Sequence, residues 1–468
     1  MTRTSGNYSM NVITQNRSRG LVGLLLMVSG SATAQQDTNT VPQMPRAPTV
    51  PQVESAPSAS APASTDNALQ LPEVSARLDL NLQNVDGQDD VDELRRDTAE
   101  AEAELTLRLR QSLGESSRLE AQIAFASIRF SEDELNNDDE PYTYDLERLF
   151  LQTRPNAALR LRAGRQTIDD PLQAVVDEEL DGLRVTYEAG IAEFEISLTR
   201  EDLFEASTFS REDNITNIMA LIEFSPNEDT VWMPYLLQRS AEPLSDDGSV
   251  NTNWLSNDQP VDALWAGLQG IVEPDNSAFR YWFHGSVLDG ETSDDSETIE
   301  LGGYSLNVGL NWTTSLAMNP TFTIAVAQGT GGDRSERFRQ SRLQSNNFAL
   351  NGKNTFRYLG EVMDPELTNL RVLTFGMGAN VTKQWRADLA LHSYQQMVLE
   401  DNLRGSDLEF SPTGLDDDLG QAVDVVLSYQ PDGQLQIQGT AGLFLPGKAF
   451  DDVHDPASLL QLELSYRF

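Results

Sequence analysis

Arginine recurs at every second position in several separate stretches of this chain. Arg108 and Arg110 alternate with Leu105, Leu107 and Leu109. Arg160 and Arg162 alternate with Leu159, Leu161 and Ala163. Arg184 and Glu188 alternate with Leu183, Val185 and Tyr187, and Arg280 and His284 with Phe279, Tyr281 and Phe283. A spacing of two places the charged set on one face of a β-strand and the apolar set on the other. Guanidinium groups on one face can pair with carboxylates or draw an anionic solute along a wall, most strongly where water is scarce. Arg77, Arg386, Asp79, Glu193, Glu195, Asp388, Asp424 and Glu463 fall on the same charged faces. The expected wall is therefore mixed: either ion pairs that stiffen it, or a ladder for a charged solute. Its densest basic patch is expected from Arg108, Arg110, Arg160, Arg162 and Arg184, opposed by Glu188.

Other chemistries find little support. His284 and His392 are the candidates for a general base, but neither sits in a nucleophile motif. The chain has no cysteine and three histidines, which excludes thiolate chemistry and disulfides and argues against a histidine-rich metal centre. No catalytic residue, metal site or cofactor is assigned. A formal charge of −40 argues against nucleic acid as a partner, because phosphate contacts need Lys and Arg.

These faces need strands to carry them. The first 34 residues read as a signal peptide: Arg3, Arg17 and Arg19, the short apolar run Gly20–Val28, then Ala32-Thr33-Ala34. Residues 35–69 are rich in Pro, Ala, Ser and Thr and are expected to be a disordered periplasmic tail. From residue 70 to 468 alternating segments recur. They predict strands at Pro72–Gln83, Glu102–Leu113, Arg118–Phe130, Tyr142–Thr153, Leu159–Thr167, Gly182–Ala189, Glu193–Arg200, Thr216–Ser225 and Thr230–Arg239. The second half predicts Ala263–Glu273, Ala278–Leu288, Leu301–Thr313, Thr321–Gln328, Asn369–Val381, Gln384–Met397, Gln421–Tyr429, Gln434–Phe444 and Ala457–Phe468.

Turn signals such as Arg154-Pro155-Asn156 and Pro431-Asp432-Gly433 alternate with long connections at Ser131–Pro141, Ser240–Asp262 and Gly329–Thr368. Acidic Asp289–Glu300 is expected as an outer loop as well. The last strand puts Leu460, Leu462, Leu464, Tyr466 and Phe468 on one face and ends the chain on an aromatic residue. Such a strand would be an exposed edge unless it pairs with the first. The expected fold is all-β: a transmembrane barrel of about 18 antiparallel strands in the bacterial outer membrane, with short periplasmic turns and long outer loops. Tyr466 and Phe468 then form the assembly signal read by the barrel assembly machinery.

Family motifs appear at this point. Leu161–Gln166 reads LRAGRQ, followed by Leu180–Arg184 (LDGLR), Arg357–Leu370 (RYLGEVMDPELTNL), Leu419–Pro431 (LGQAVDVVLSYQP) and Gly442–Gly447 (GLFLPG). With the aromatic terminus, these resemble the alginate export family of outer-membrane porins. The resemblance implies a passive channel for an anionic uronate polysaccharide, working in outer-membrane lipid with periplasmic polysaccharide-export components. The strand alternation puts Arg108, Arg110, Arg160, Arg162, Arg184, Glu188, Arg280 and Arg386 on the expected path, and the resemblance adds Arg357. The chain departs from the family's arginine-lined constriction: Glu147, Thr167, Asp364 and Gln436 or Gln438 stand at matching positions, while Arg108 and Arg357 keep a basic group. A wide pore with modest anion preference is the expected consequence. A general small-solute porin and a structural or adhesive barrel are the alternatives.

Overall fold

The structure is a computed structural model that describes residues 71–87, 98–129, 142–201, 215–241, 262–274, 277–294, 297–332, 336–408, 410–450 and 455–468. The expected signal peptide and tail, and the outer loops at 131–141 and 242–261, lie outside the described residues.

Eighteen strands form one closed antiparallel sheet. The first nine are β1 (Glu73–Asp86), β2 (Thr98–Ser112), β3 (Ser117–Arg129), β4 (Tyr142–Asn156), β5 (Leu159–Asp169), β6 (Asp177–Ala189), β7 (Ala192–Arg200), β8 (Ile215–Asn227) and β9 (Thr230–Ala241). They are followed by β10 (Asp262–Val272), β11 (Phe279–Asp294), β12 (Glu297–Thr313) and β13 (Thr321–Gly329). A separate two-stranded ribbon comes next, β14 (Asn347–Phe348) and β15 (Phe356–Arg357). The wall resumes with β16 (Leu370–Asn380), β17 (Trp385–Gln396), β18 (Asp418–Tyr429), β19 (Leu435–Pro446) and β20 (Ala457–Arg467). Each wall strand pairs with its sequence neighbour in the sheet, and β20 pairs with β1 from Arg77↔Arg467 to Asp86↔Ser458. Closure leaves no edge, so the terminal strand does what its pattern predicts.

The two faces sort as the alternation requires. Leu105, Leu107, Leu183, Val185, Ile196, Leu198, Leu460 and Leu462 are exposed on the outside, where lipid covers them. Glu102, Glu104, Thr106, Glu195, Ser197, Thr199 and Asn217 are buried on the inside. Trp312 against Phe322 and Trp385 against Tyr429, with ring centroids 5.7 and 4.6 Å apart, stand beside the short turns, as does the Tyr466–Phe468 pair. Such aromatics mark a membrane–water boundary. The turns close through their own side chains. Asn156 Oδ1 accepts from the Ala158 and Leu159 amides, and Asp432 Oδ1 from the Gln434 and Leu435 amides, the Asx geometry that these residues favour.

Three expectations are corrected. Asp177–Asp181 belongs to β6, which starts ahead of the expected Gly182. Most of Asp289–Glu300 is strand, since β11 and β12 stay paired out to Asp294↔Glu297. Acidic residues remain in a ladder there because its ends meet water. The largest correction concerns the connection from β13 to β16, expected as an outer loop over a wide pore. It runs inward instead. Leu359, Val362 and Met363 are fully buried, with Phe348, Leu350, Phe356, Tyr358 and Leu367 close behind. They pack with Trp282, Tyr394, Ala422, Val426 and Phe444 from the wall into one apolar cluster. The Arg280 guanidinium donates to Ala349 O (3.1 Å), Asn311 to Leu350 O (2.8 Å), Arg386 to Asn351 O (2.8 Å) and Tyr394 OH to Leu359 O (2.9 Å). These four backbone carbonyls, taken from water, find donors on the lumen wall, as burial demands. The short β5–β6 connection locks against this inner loop, with Ser341 Oγ donating to Val175 O and the Asn346 amide to Gln173 O. Asp170 holds that connection by accepting from the amides of Leu172, Ala174, Val175 and Val176.

Candidate functional site

The inner loop packs mainly on the wall from β10 to β20 and touches β8 and β9 through Phe338 and Leu343, and open space lies against β2 to β9. A cavity of about 510 Å³ opens there. Its lining includes Arg108, Arg118, Arg148, Arg160, Arg162 and Arg184 on one side of the balance, and Glu120, Asp169, Asp177, Glu193, Glu195 and Glu223 on the other. Strand register explains the arrangement. Arg118, Gln152, Arg162 and Arg184 are direct neighbours across β3, β4, β5 and β6. Near the turns, Glu188, Glu193 and Glu223 are neighbours across β6, β7 and β8. The wall is thus basic on β3–β6 and acidic on β7–β8.

Most of the arginines are paired. Arg108 Nε donates to Glu120 at 2.9 Å, and Arg110 and Arg148 approach the same carboxylate at 3.2 and 3.9 Å. Arg160 meets Glu193 at 2.9 Å and Arg184 meets Glu195 at 2.6 Å. Arg162 differs. Its Nε donates to the neutral Gln152 Oε1 at 2.7 Å, and its guanidinium carbon lies 5.3 Å from the centre of the Phe150 ring.

The LRAGRQ and LDGLR motifs build the floor of this site. Gly164 and Gly182 face each other in register on β5 and β6. A Cβ on either would stand 2.1 Å from a carbonyl oxygen of the next strand, and Gly164 has φ +121°. Only glycine fits such an approach. A buried ion pair, Arg165 to Asp181 at 3.3 Å, ties the same two strands. The remaining motifs meet around the inner loop. Tyr358 to Leu367 fills the lumen, Ala422 and Val426 of β18 pack on it, and Phe444 of β19 completes the cluster.

Of the residues expected on the path, the cavity collects Arg108, Arg160, Arg162 and Arg184. Arg110 stands beside it through Glu120. Glu188 lies at the β6–β7 hairpin end, opposite Glu193. Arg280 and Arg386 hold the inner loop from the wall. Arg357 sits on the inner loop itself, pairing with Asp364 and Asp407 at 3.3 and 3.0 Å. The sequence reading missed Arg118 and Arg148. Arg118 follows directly from the alternation with Leu119. Arg148 follows in the same way from its alternation with Leu149 and Leu151; the β3–β4 register slips only beyond it, between Gln122↔Arg148 and Ala124↔Asp145, where Glu147 is buried. Arg148 Nε donates to Thr167 Oγ1 at 3.0 Å, so a guanidinium stands beside the position where the threonine replaces a basic group.

His284 and His392 are buried. His284 Nε2 lies 2.9 Å from the Tyr235 hydroxyl. His392 lies between the Thr374 hydroxyl (2.9 Å) and Asp424 (3.2 Å), but it is 2% exposed and roofed by the inner loop, where the Glu361 amide donates to Asp424. No substrate reaches either ring. Among the described residues no group of three or more His, Asp or Glu side chains is arranged to hold a metal ion.

Glu361 gives the inner loop a pH dependence. Burial, with Asp424 and Asp364 nearby, raises its carboxyl to about 8 from 4.5, against the pull of Arg357. The folded protein therefore holds a proton that the unfolded chain releases, and stability falls as pH rises between those values. Melting of the purified barrel is expected at lower temperature at pH 9 than at pH 5, and Glu361→Gln should flatten the difference. An unchanged slope in that variant would remove Glu361 as the cause.

Comparison with known proteins agrees with this geometry. The family model described as "Alginate export" matches residues 89–458. Two curated relatives, both alginate production protein AlgE, align over part of their length. That of Azotobacter vinelandii is 28% identical over 184 residues, covering 34% of this chain and 38% of the relative. That of Pseudomonas aeruginosa is 22% identical over 218 residues, covering 40% and 44%. The alignments thus span about two fifths of those relatives. Among solved structures, Pseudomonas aeruginosa OccK8 (OprE) superposes with a TM-score of 0.58 at 11% identity, covering 86% of this chain and 98% of that one. Pseudomonas aeruginosa OpdK with vanillate gives 0.56 at 12%, covering 86% and 99%. These likenesses speak for the barrel fold. The family match spans most of the chain: it belongs to the alginate export family, as an outer-membrane porin-type barrel.

Proposed function

We propose that this barrel is a passive outer-membrane channel for polar, carboxylate-bearing solutes, which pass along the β2–β8 wall beside the inner loop. The observation that carries the reading is the run of register neighbours Arg118, Gln152, Arg162 and Arg184, whose three arginines line a cavity. Within this class, an anionic polysaccharide of the alginate type is the finer reading, since the relatives are alginate production proteins. Periplasmic polysaccharide-export components would then be its partners. The balance of six arginines and six carboxylates around the cavity favours smaller polar solutes, because paired charges hold a polyanion weakly.

Planar bilayers test both. Arg162→Glu with Arg184→Glu is expected to move the reversal potential towards cations. Each reversal changes an ion's local energy by on the order of 1 kcal/mol in a hydrated lumen, and roughly 1.4 kcal/mol is tenfold in a ratio. An unmoved potential would take the arginines off the path. Block by oligouronate at micromolar concentration would establish the polysaccharide reading; weak block would establish the small-solute one.

A further inference from the structure

We propose that Arg162, with Phe150 and Gln152, is a docking point for solutes that carry a single carboxylate, and that the acidic β7–β8 side turns away solutes with a second one. The proposal rests on the channel reading and names the solute class. Arg162 makes no ion pair among the described residues, while Arg160, Arg184 and Arg108 each have a carboxylate. Its Nε is committed to Gln152 and its plane lies near the Phe150 ring. Both contacts hold the guanidinium, which lines the cavity, and no described residue takes a hydrogen bond from its two terminal nitrogens. A planar fork held in this way matches a carboxylate with two parallel hydrogen bonds. Arg160, Arg184 and Arg118 stand around it and strengthen the attraction.

The opposite side of the same cavity has the reverse character. Glu223 has only the Ser225 hydroxyl, at 3.3 Å, and its neighbour in register is Glu193, itself opposite Glu188. A solute anchored on Arg162 extends over this row. A hydroxylated or ammonium-bearing body is accepted by this row, in which Glu193 is paired with Arg160 and Glu223 carries no ion pair among the described residues; a second carboxylate is repelled by Glu223.

The test uses the full-length barrel in planar bilayers, with D-glucuronate as the probe carrying one carboxylate and succinate as the probe carrying two. Glucuronate is expected to half-block the potassium chloride current at a concentration at least tenfold below that of succinate. Arg162→Lys keeps the charge but loses the fork and the stacking. It should raise the half-blocking glucuronate concentration about tenfold. Glu223→Gln should tighten succinate block and leave glucuronate block alone. Equal block by the two probes, or glucuronate block unchanged in Arg162→Lys, overturns the proposal while the channel reading stands. A folded barrel that passes no current overturns the channel reading, and this proposal with it.

Discussion

Excising residues 337–366 and bridging the gap with a short Gly-Ser turn is expected to raise single-channel conductance several-fold while the barrel still closes. The wall does not depend on the inner loop for its register. Gly329 on β13 and Leu370 on β16 are direct partners, so a hairpin of a few residues can join them. What is lost is the filling of the lumen. Leu350, Leu359, Val362 and Met363 leave the cluster, and Trp282, Tyr394 and Phe444 meet water. Each large side chain so exposed costs about 1.5–3 kcal/mol. Melting should therefore drop markedly even though closure persists. Leu359→Asp, which puts a carboxylate at a fully buried point, should give a milder version through partial release of the loop. The readouts are conductance in planar bilayers and the melting temperature of the purified protein. Unchanged conductance after excision would mean that the inner loop does not obstruct the ion path.

The position of this loop was the part of the fold hardest to read. Strand number and face sorting follow from period two, which any strand between lipid and a polar lumen must show. Closure followed from the unpaired pattern of the last strand. The inner loop has no period. Its apolar residues, from Leu343 through Phe348 and Tyr358 to Leu367, lie among Asn, Arg and Gly as in any irregular segment. One signal was available: so many large apolar groups do not belong in an outer loop bathed in water. The wall residues that hold it were misread for the same reason. Arg280 and Arg386 alternate correctly and do face inward. Their partners are backbone carbonyls of a segment far away in sequence, and no local pattern announces those. The basic patch was legible in four of its arginines because they lie on regular strands. Arg118 and Arg148 alternate with Leu119 and Leu149 and were equally legible, whereas Asp169 and Asp177 were hidden by strand ends that run past the expected boundaries.

Two changes in the terminal strand are expected to fail in different ways. Leu462 is exposed at the centre of β20, opposite Leu82 of β1 and Gly439 of β19. Leu462→Arg puts a cation on the lipid face, which costs roughly 2–4 kcal/mol near the middle of the bilayer. That is a large share of a typical total of about 5–15 kcal/mol. The folded fraction should fall both in cells and in refolding from denaturant into detergent micelles. Deleting Phe468 removes a ring packed 4.8 Å from Tyr466 and an amide that donates to Ala76 O at 2.9 Å. It leaves the pairing from Arg77↔Arg467 to Asp86↔Ser458 in place. If Phe468 acts as an assembly signal, micelle refolding should then be nearly normal while insertion in cells should collapse. Heat-modifiable migration on gels reports the folded barrel in both settings. Equal loss of the Phe468 deletion in micelles and in cells would make the terminal residue a packing element and not a signal. Normal amounts of the deletion variant in the outer membrane would leave it neither.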